Sequence, residues 1–497
     1  MQDTSSLRPE HPFLPERPER VEYCRIRVRS LTPGWTPHWL FAWGIAVALL
    51  SACGGGGGGG GTAPVPPVFG SIGSASCDAN AQKQFVRDVA QDWYLWFDEM
   101  AAVSPDSFAT AEEYLEALTA PLAEDFRDPG FSYLTTVAED EANFTSGAFV
   151  GFGFRFAIDD TGRYFISDSF EDAPAFEAGF RRGAELLAVD SGSGYITMQE
   201  YENQGTPLAS VFGDAEEGLQ RGFRLRIDDT TRDVLVSKRE LDVPPLADAP
   251  RLLERLGLSP VAYLHLRSFT RSAEPELDAA FATFADQGVT DVIVDLRYNS
   301  GGLVAVANRL LDLLGGEIGA GEVAYRIQHN SKRQSENRNY EFARRASTTA
   351  PIRIVFLTGE ATASASELLI NSIEPFADVA LIGSDTSGKA VGQYAFDQDG
   401  CDTRLRLVAF ETVNGEGFGG FYTGLVDTGR FTLCSVEDEF TGSFGSNTES
   451  LTAGALGWLN EGACPLSANS VSQRGLRRGD SPLLPQNRPD RRSLWVQ

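Results

Sequence analysis

From Ser259 to Gly383 the chain switches repeatedly between two hydrophobic periods, and few architectures tolerate that pattern. Residues 261–266, 291–296, 351–358 and 379–383 are short runs rich in Val, Ile and Leu. Near-continuous apolar runs of this length read as strands buried on both faces, the habit of parallel sheets. Between them, residues 275–287, the stretch ending at Leu314 and residues 366–373 read as helices. Strand and helix in alternation imply an α/β layer in which each helix returns the chain to start the next parallel strand.

The 497 residues are enough for about three domains. An apolar fraction of 42% beside 22% charged residues suits a folded protein with sizeable cores. The net charge of −27 argues against nucleic acid and anionic lipid surfaces as partners, since both repel an acidic protein.

Residues 39–50 form an apolar run shorter than the ~20 residues a helix needs to cross a bilayer. Arg25, Arg27 and Arg29 precede it, as in the charged region of a secretory signal. The run ends in Leu50-Ser51-Ala52-Cys53, which looks like a bacterial lipobox with Cys53 as the lipidated first mature residue. The long region before it points to a translation start downstream of Met1. The competing reading is a short transmembrane anchor. Under either, residues 1–53 are a targeting segment and the remainder is exported and membrane-tethered, in the periplasm or cell envelope. Gly54 to Gly61 are consecutive glycines, and with Pro64, Pro66 and Pro67 they make 54–77 a tether that buries no apolar surface. Residues 78–135 read as a helical segment, because Phe85, Val89, Trp93 and Trp96 recur at spacings of three and four. That stripe is expected to be core. Residues 447–462 read as a last helix, and 465–497, with Pro482, Pro485, Pro489 and several arginines, as a disordered tail.

The chemistry is concentrated between Gly359 and Gln393. A buried strand, a turn of small residues and a helix beginning near Ser366 place serines at a helix N-terminus, where backbone amides hold anions. Such a serine can also be a mere helix cap. Lys389 sits in a Gly-bearing loop after the next strand. In an apolar pocket its charged form would be disfavoured, and it could act as general base for a serine. A Ser-His-Asp mechanism has little to recruit. His11 and His38 precede Cys53, His265 reads as a strand residue, and neither it nor His329 adjoins a serine-bearing motif.

The stretch as a whole resembles the carboxyl-terminal processing, or tail-specific, serine peptidases, whose pattern is Ser-Ala-Ser-Glu followed by Gly-Lys-x-x-x-Gln. Here Ser364-Ala365-Ser366-Glu367 precedes Gly388-Lys389 and Gln393, and Lys389 follows Ser364 by 25 positions, the family's spacing. The resemblance implies Ser364 as nucleophile, Lys389 as base and Gln393 as the residue that orients the lysine. Asp295-Leu296-Arg297-Tyr298-Asn299-Ser300-Gly301-Gly302 looks like the family's Asp-Leu-Arg-x-Asn-x-Gly-Gly signature. It implies an oxyanion hole made by the Ala365 N–H with an amide at Gly301 or Gly302, and Asp295, Arg297 and Asn299 as residues that fix the loop through hydrogen bonds. Residues 144–240 are similar to a PDZ domain, on Gly151-Phe152-Gly153-Phe154 and on the later Pro174-Ala175-Phe176-Glu177-Ala178-Gly179. Such a domain presents loop amides to a peptide's terminal carboxylate while the peptide adds a strand. Residues 192–222 are an insertion relative to a compact domain of that kind.

With Cys24 removed and Cys53 lipidated, Cys77, Cys401, Cys434 and Cys464 remain, enough for two disulfides in an oxidising compartment. Of the three pairings, Cys401–Cys434 and Cys77–Cys464 are expected, the first flanking a strand-rich return and the second tying the chain's ends. No cysteine or histidine grouping suggests a metal site.

The resemblance covers roughly residues 80–462. It implies an α/β peptidase core at 250–462, of layered ClpP/crotonase-like βα units, with an inserted PDZ-like β-rich domain and an N-terminal helical segment. It further implies an exported, lipid-anchored serine endopeptidase that needs no cofactor and acts on polypeptides with exposed C-termini. The alternative is a catalytically inactive peptide-binding PDZ lipoprotein. That reading is favoured by Ser387 and Ala390, which flank Gly388-Lys389 where the family has an aromatic residue and a glycine. An α/β-hydrolase is set aside, because Ser364 lies in Ala-Ser-Ala and no histidine follows it.

Overall fold

The apolar runs become neighbours. Strands Leu258–His265, Asp291–Asp295, Arg353–Thr358 and Asp378–Gly383 lie side by side and parallel. Thr432–Ser435 joins in parallel at one edge and Arg251–Arg255 antiparallel at the other, giving six strands. A computed structural model describes residues 68–72 as backbone and residues 76–464 except 160, all within the unit Thr62–Gln497. The targeting segment 1–53 with Cys53, most of the 54–77 tether and the 465–497 tail lie outside the described residues.

Strand order equals chain order, so successive right-handed crossovers put their helices on one face. Ala273–Asp286, Val304–Gly315 and Ala365–Ile373 pack there, with Phe281, Leu310, Leu311 and Ile370 in one cluster with Val292, Val294, Ile354 and Phe356. The alternate residues Ile293, Val355, Leu357 and Ala380 face the other way, where Ser450–Glu461 covers them with Leu451, Trp458 and Leu459. Both faces are dry, which is why the runs are continuously apolar. Truncating Trp458 to alanine would open the second face at a cost of about 3–5 kcal/mol.

A second sheet stands beside the first. Its centre is the antiparallel pair Val391–Gln398 and Arg404–Asn414, continued by Val323–His329 and Arg338–Glu341. Val68–Ile72 lies parallel to Val391–Gln398, and Tyr133–Thr135 pairs with Arg404–Arg406. Through that last pairing the N-terminal segment reaches the core. Its helices are Ala79–Trp93, capped by Asp78, and Ala111–Glu124, opened by a Thr110/Glu113 capping box. Phe85, Val89 and Trp93 are buried as the spacing predicts, while Trp96 stands beyond the helix end, packed against the same cluster.

Residues 154–237 build a third sheet, antiparallel, in the order Phe154–Ile158, Tyr164–Ser169, Glu185–Asp190, Gln220–Ile227, Thr230–Ser237, with Tyr195–Thr197 on Glu185–Asp190. Phe149–Gly151 and Arg239–Leu241 pair at its base. The 192–222 stretch supplies the helices Met198–Asn203 and Leu208–Phe212. Phe152 and Phe154 turn into this sheet's own core, with Phe180 and Phe223.

The cysteine pairing differs from expectation. Cys77 bonds Cys401 and Cys434 bonds Cys464, with Cα separations of 5.7 and 5.2 Å. Cys401 lies in the turn of the second sheet's central hairpin, where Gln398 Nε2 donates to Ser76 O and Gln82 Nε2 to Thr403 Oγ1. Cys434 is on the edge strand of the parallel sheet, beside the end of Ser450–Glu461. The two thus belong to different sheets, and each takes the partner that its own sheet brings near. Among the described residues no helix is long and apolar enough to cross a membrane, and no group of His, Cys, Asp and Glu could hold a metal ion.

Candidate active site

At the C-terminal end of Arg353–Thr358 the chain turns into Ala365–Ile373 within residues 359–364. The turn is stitched to the neighbouring loop. Thr362 Oγ1 donates to Leu296 O at 2.8 Å and accepts from Gly359 N at 3.0 Å, and Ala363 N–H donates to Asn299 O at 3.1 Å. Ser364 takes the N-cap position with φ +56° and ψ −113°. A residue with a Cβ holds such a conformation at a cost of about 1–3 kcal/mol, a form of strain that clusters at functional sites. Ser366 is no cap: it is fully buried, and its hydroxyl donates to Asn299 O at 3.0 Å.

Glu367 joins this turn to the lysine loop. Its carboxylate is fully buried and accepts three backbone N–H groups: Ser364 at 2.8 Å, Gly388 at 2.7 Å and Lys389 at 2.9 Å. Burial pushes its pKa up to about 7, against the opposing pull of Thr386 and those three amides. The Gly388-Lys389 turn needs its glycine, since φ is +84° and an added Cβ would meet the Tyr422 backbone. Lys389 Nζ donates to Gln393 Oε1 at 2.7 Å and stands 4.9 Å from the centre of the Phe131 ring, while Gln393 Nε2 donates to Phe131 O.

The glycines of the 295–302 loop lie against the nucleophile turn. A Cβ on Gly301 (φ +105°) would sit 2.9 Å from Ser364 Cβ and 3.0 Å from Ala365 N, so only glycine permits that approach. Asn299 shapes the loop as expected, its Nδ2 donating to Leu266 O and its Oδ1 accepting the Gly301 N–H, both at 2.8 Å. Asp295 and Arg297 pair at 2.7 Å in full burial, and Arg297 pairs again with Glu449 at 2.6 Å.

The same loop is gripped from the 154–237 sheet. Arg155 Nη1 donates to Tyr298 O at 3.0 Å and Arg182 Nη1 to Tyr298 OH at 2.8 Å, while Asp438 pairs with Arg182 and accepts from Tyr298 OH. His265 is buried in the strand Leu258–His265 with its ring against Phe444, and burial lowers its pKa to about 4. His329 bonds Tyr394 OH and Asn337 Oδ1. Neither imidazole makes a hydrogen bond to Ser364 among the described residues.

The structure thus sets Gly301 against Ser364 and Ala365, ties the Ser364 and Lys389 backbones to one carboxylate, and bonds Lys389 to Gln393, while Gly302 abuts Phe269. The Gly151–Phe154 loop runs from the Phe149–Gly151 pair into the third sheet, and the next residue, Arg155, donates to Tyr298 O. Two members of the site escape a reading of the sequence. Glu367 had a signal in Ser364-x-x-Glu367, the capping-box spacing. Phe131 had none, because its contact to Gln393 is made by a backbone carbonyl.

A strained serine at a strand–helix turn, tied through one buried carboxylate to a lysine loop, is an arrangement suited to acyl transfer. Comparison with known proteins agrees on the class. Residues 260–418 match the sequence profile of peptidase family S41, and residues 81–133 that of the peptidase S41 N-terminal domain. The chain therefore carries the domains of the S41, or C-terminal processing, peptidase family. The carboxyl-terminal-processing protease of Synechocystis is 25% identical over 309 residues, 62% of this chain and 67% of that protein. That of Picosynechococcus is 27% identical over 243 residues, 48% of this chain and 54% of that protein, so the match spans about half of the latter's length. A crystal structure from Bacteroides fragilis, of a protein assigned to the S41 proteases, shares the fold at a TM-score of 0.60, with 23% identity, covering 76% of this chain and 97% of that one.

Proposed function

We propose that this protein is a serine endopeptidase in which Ser364 and Lys389 form a catalytic dyad. The observation that carries the reading is Glu367, whose single carboxylate holds the Ser364 and Lys389 backbones together. The neutral Lys389 amine takes the Ser364 proton, with Gln393 holding its Nζ. Ser364 Oγ attacks a peptide carbonyl, and the Lys389 ammonium returns the proton to the departing amine. Water then hydrolyses the acyl-enzyme by the same route. The tetrahedral oxyanion is held by the Ala365 N–H and the Gly302 N–H, because the Gly301 N–H is already given to Asn299. Ser387 and Ala390 do not displace the lysine: Ser387 N–H donates to Thr362 O, and Ala390 is buried.

The 154–237 sheet serves as a PDZ-like reader of C-termini. Among the described strands Phe154–Ile158 pairs on one side only, leaving an edge to which a peptide adds. Phe156, Ile158 and Leu208 are half-buried around the same cluster and favour an apolar C-terminal side chain. Export and anchoring through Cys53 fit the two disulfides, which persist in oxidising compartments. Loss of the protein from the membrane fraction in Cys53→Ser tests the anchor.

The deciding experiment is hydrolysis of an unfolded polypeptide with an apolar C-terminus by wild type, Ser364→Ala and Lys389→Ala. Cleavage by wild type alone supports the dyad, and equal cleavage by Ser364→Ala refutes the nucleophile. Binding of the polypeptide without cleavage by any form returns the protein to the class of peptide-binding scaffolds.

A further inference from the structure

The surroundings of Lys389 are not supplied by the peptidase core alone. Phe131 belongs to the segment between Ala111–Glu124 and Tyr133–Thr135, and that segment is held with unusual care. Asp128 is fully buried. Its carboxylate accepts Ser132 N at 2.9 Å, Ser132 Oγ at 2.6 Å and Tyr94 OH at 3.0 Å. Ser132 Oγ in turn accepts Val408 N at 3.1 Å, and Val408 is the residue directly opposite Gln393 in the central hairpin. The loop is thereby pinned across from Gln393, with the Phe131 carbonyl against its amide.

Donor and acceptor chemistry makes this contact directional. A peptide carbonyl only accepts, so the side-chain amide must turn its NH₂ to it and leave its own oxygen for a hydrogen of the lysine nitrogen, whether charged or neutral. Because the Phe131 carbonyl takes Nε2–H, Oε1 must face Lys389 Nζ. The Phe131 ring lies beside the same nitrogen, 4.9 Å from ring centre to Nζ, and is itself buried. We infer that Phe131 is a positioning residue for the Lys389 amine, its carbonyl setting the Gln393 amide and its ring walling the Nζ into place, so that the N-terminal domain completes the base. The inference rests on the Ser364–Lys389 reading above.

The test measures how fast a fluorophosphonate labels Ser364, which reports the nucleophile without a peptide in any groove, together with kcat and KM on an unfolded polypeptide. Phe131→Ala should lower the labelling rate and kcat by about tenfold or more with KM unchanged, a share of the ~10²–10⁴-fold that a positioned base contributes. Phe131→Tyr, which keeps ring and carbonyl, should restore both. Gln393→Glu sets an acceptor against the Phe131 carbonyl and should cause a similar loss, and the two losses should not add in the double variant. Phe131→Ala that melts like wild type and labels at the wild-type rate overturns the inference, as does a loss confined to melting temperature. If Phe131→Ala does not fold, Phe131→Leu fills the space without a π face, and its labelling rate decides in the same way. Lys389→Ala labelling as fast as wild type sinks the dyad and this inference with it. Slow labelling of Lys389→Ala beside a wild-type rate for Phe131→Ala sinks this inference alone.

Discussion

Glu367 Oε2 accepts the Ser364 N–H at 2.8 Å, so the residue at the strained turn is held by a carboxylate three positions further along its own helix. The same oxygen accepts the Lys389 N–H, and the two loops therefore share the protonation state of one buried group. Its pKa of about 7 lies above the ordinary 4.5, so between these values the folded protein holds a proton that the unfolded chain has lost. Stability therefore falls as pH rises through that window, by about 3 kcal/mol in all. Glu367→Gln should flatten that dependence in denaturant titrations between pH 4.5 and 7.5. Its amide NH₂ would also confront backbone donors, so activity should drop. In wild type the protonated carboxyl loses one acceptor, and peptidase activity should decline below about pH 7.

Ser364 stores strain that a residue without Cβ would not feel. Ser364→Gly should therefore raise stability by about 1 kcal/mol while abolishing cleavage. Thermal unfolding beside an activity assay checks both halves. A destabilised glycine variant would mean that the φ of +56° is not costly here.

Glu449 has two structural duties. It neutralises Arg297 at 2.6 Å, and it caps Ser450–Glu461 by accepting Thr452 N at 2.9 Å. Removing Glu449 takes one of three carboxylates from Arg297, which keeps Asp295 and Asp438, so the loss is that of charged hydrogen bonds, about 1.5–3 kcal/mol. Glu449→Ala should lower the denaturant midpoint accordingly and slow cleavage, since Arg297 belongs to the loop that carries Gly301 and Gly302. Glu449→Gln, which keeps the cap, should cost less.

The disulfides should respond separately to substitution. Cys434→Ser with Cys464→Ser opens a link across 30 residues, and about 2–4 kcal/mol of stability should go with it. Cleavage at low temperature should survive, because neither cysteine adjoins Lys389. Mass spectrometry of the non-reduced digest checks the pairing itself.

The parallel sheet was legible because burial on both faces leaves a strong mark: Ile354, Phe356, Val355 and Leu357 are apolar whichever way they point. The Ser364 and Lys389 loops were legible because their motifs are contiguous. What the sequence concealed is what two distant segments make together. Cysteine spacing says nothing about which sheet a cysteine joins, so Cys401 and Cys434, near in sequence, invite a pairing that the fold does not make. The contact of Phe131 to Gln393 spans 262 positions and uses a carbonyl that every residue has. Arg182 and Asp438, 256 positions apart, belong to no shared motif, and only the fold sets both on Tyr298.

The Cys77–Cys401 bond, with the Val68–Ile72 strand pairing ahead of it, decides how a mechanical pull enters the described protein. A pull transmitted from any attachment N-terminal to Cys77 arrives at the disulfide before it reaches Ala79–Trp93. It then passes covalently into the turn after Val391–Gln398, so the first helix is not peeled away turn by turn. That strand begins two residues after Lys389 and bears Gln393. Tension would thus enter at the turn that joins Val391–Gln398 to Arg404–Asn414, and load the strand that holds the lysine's partner.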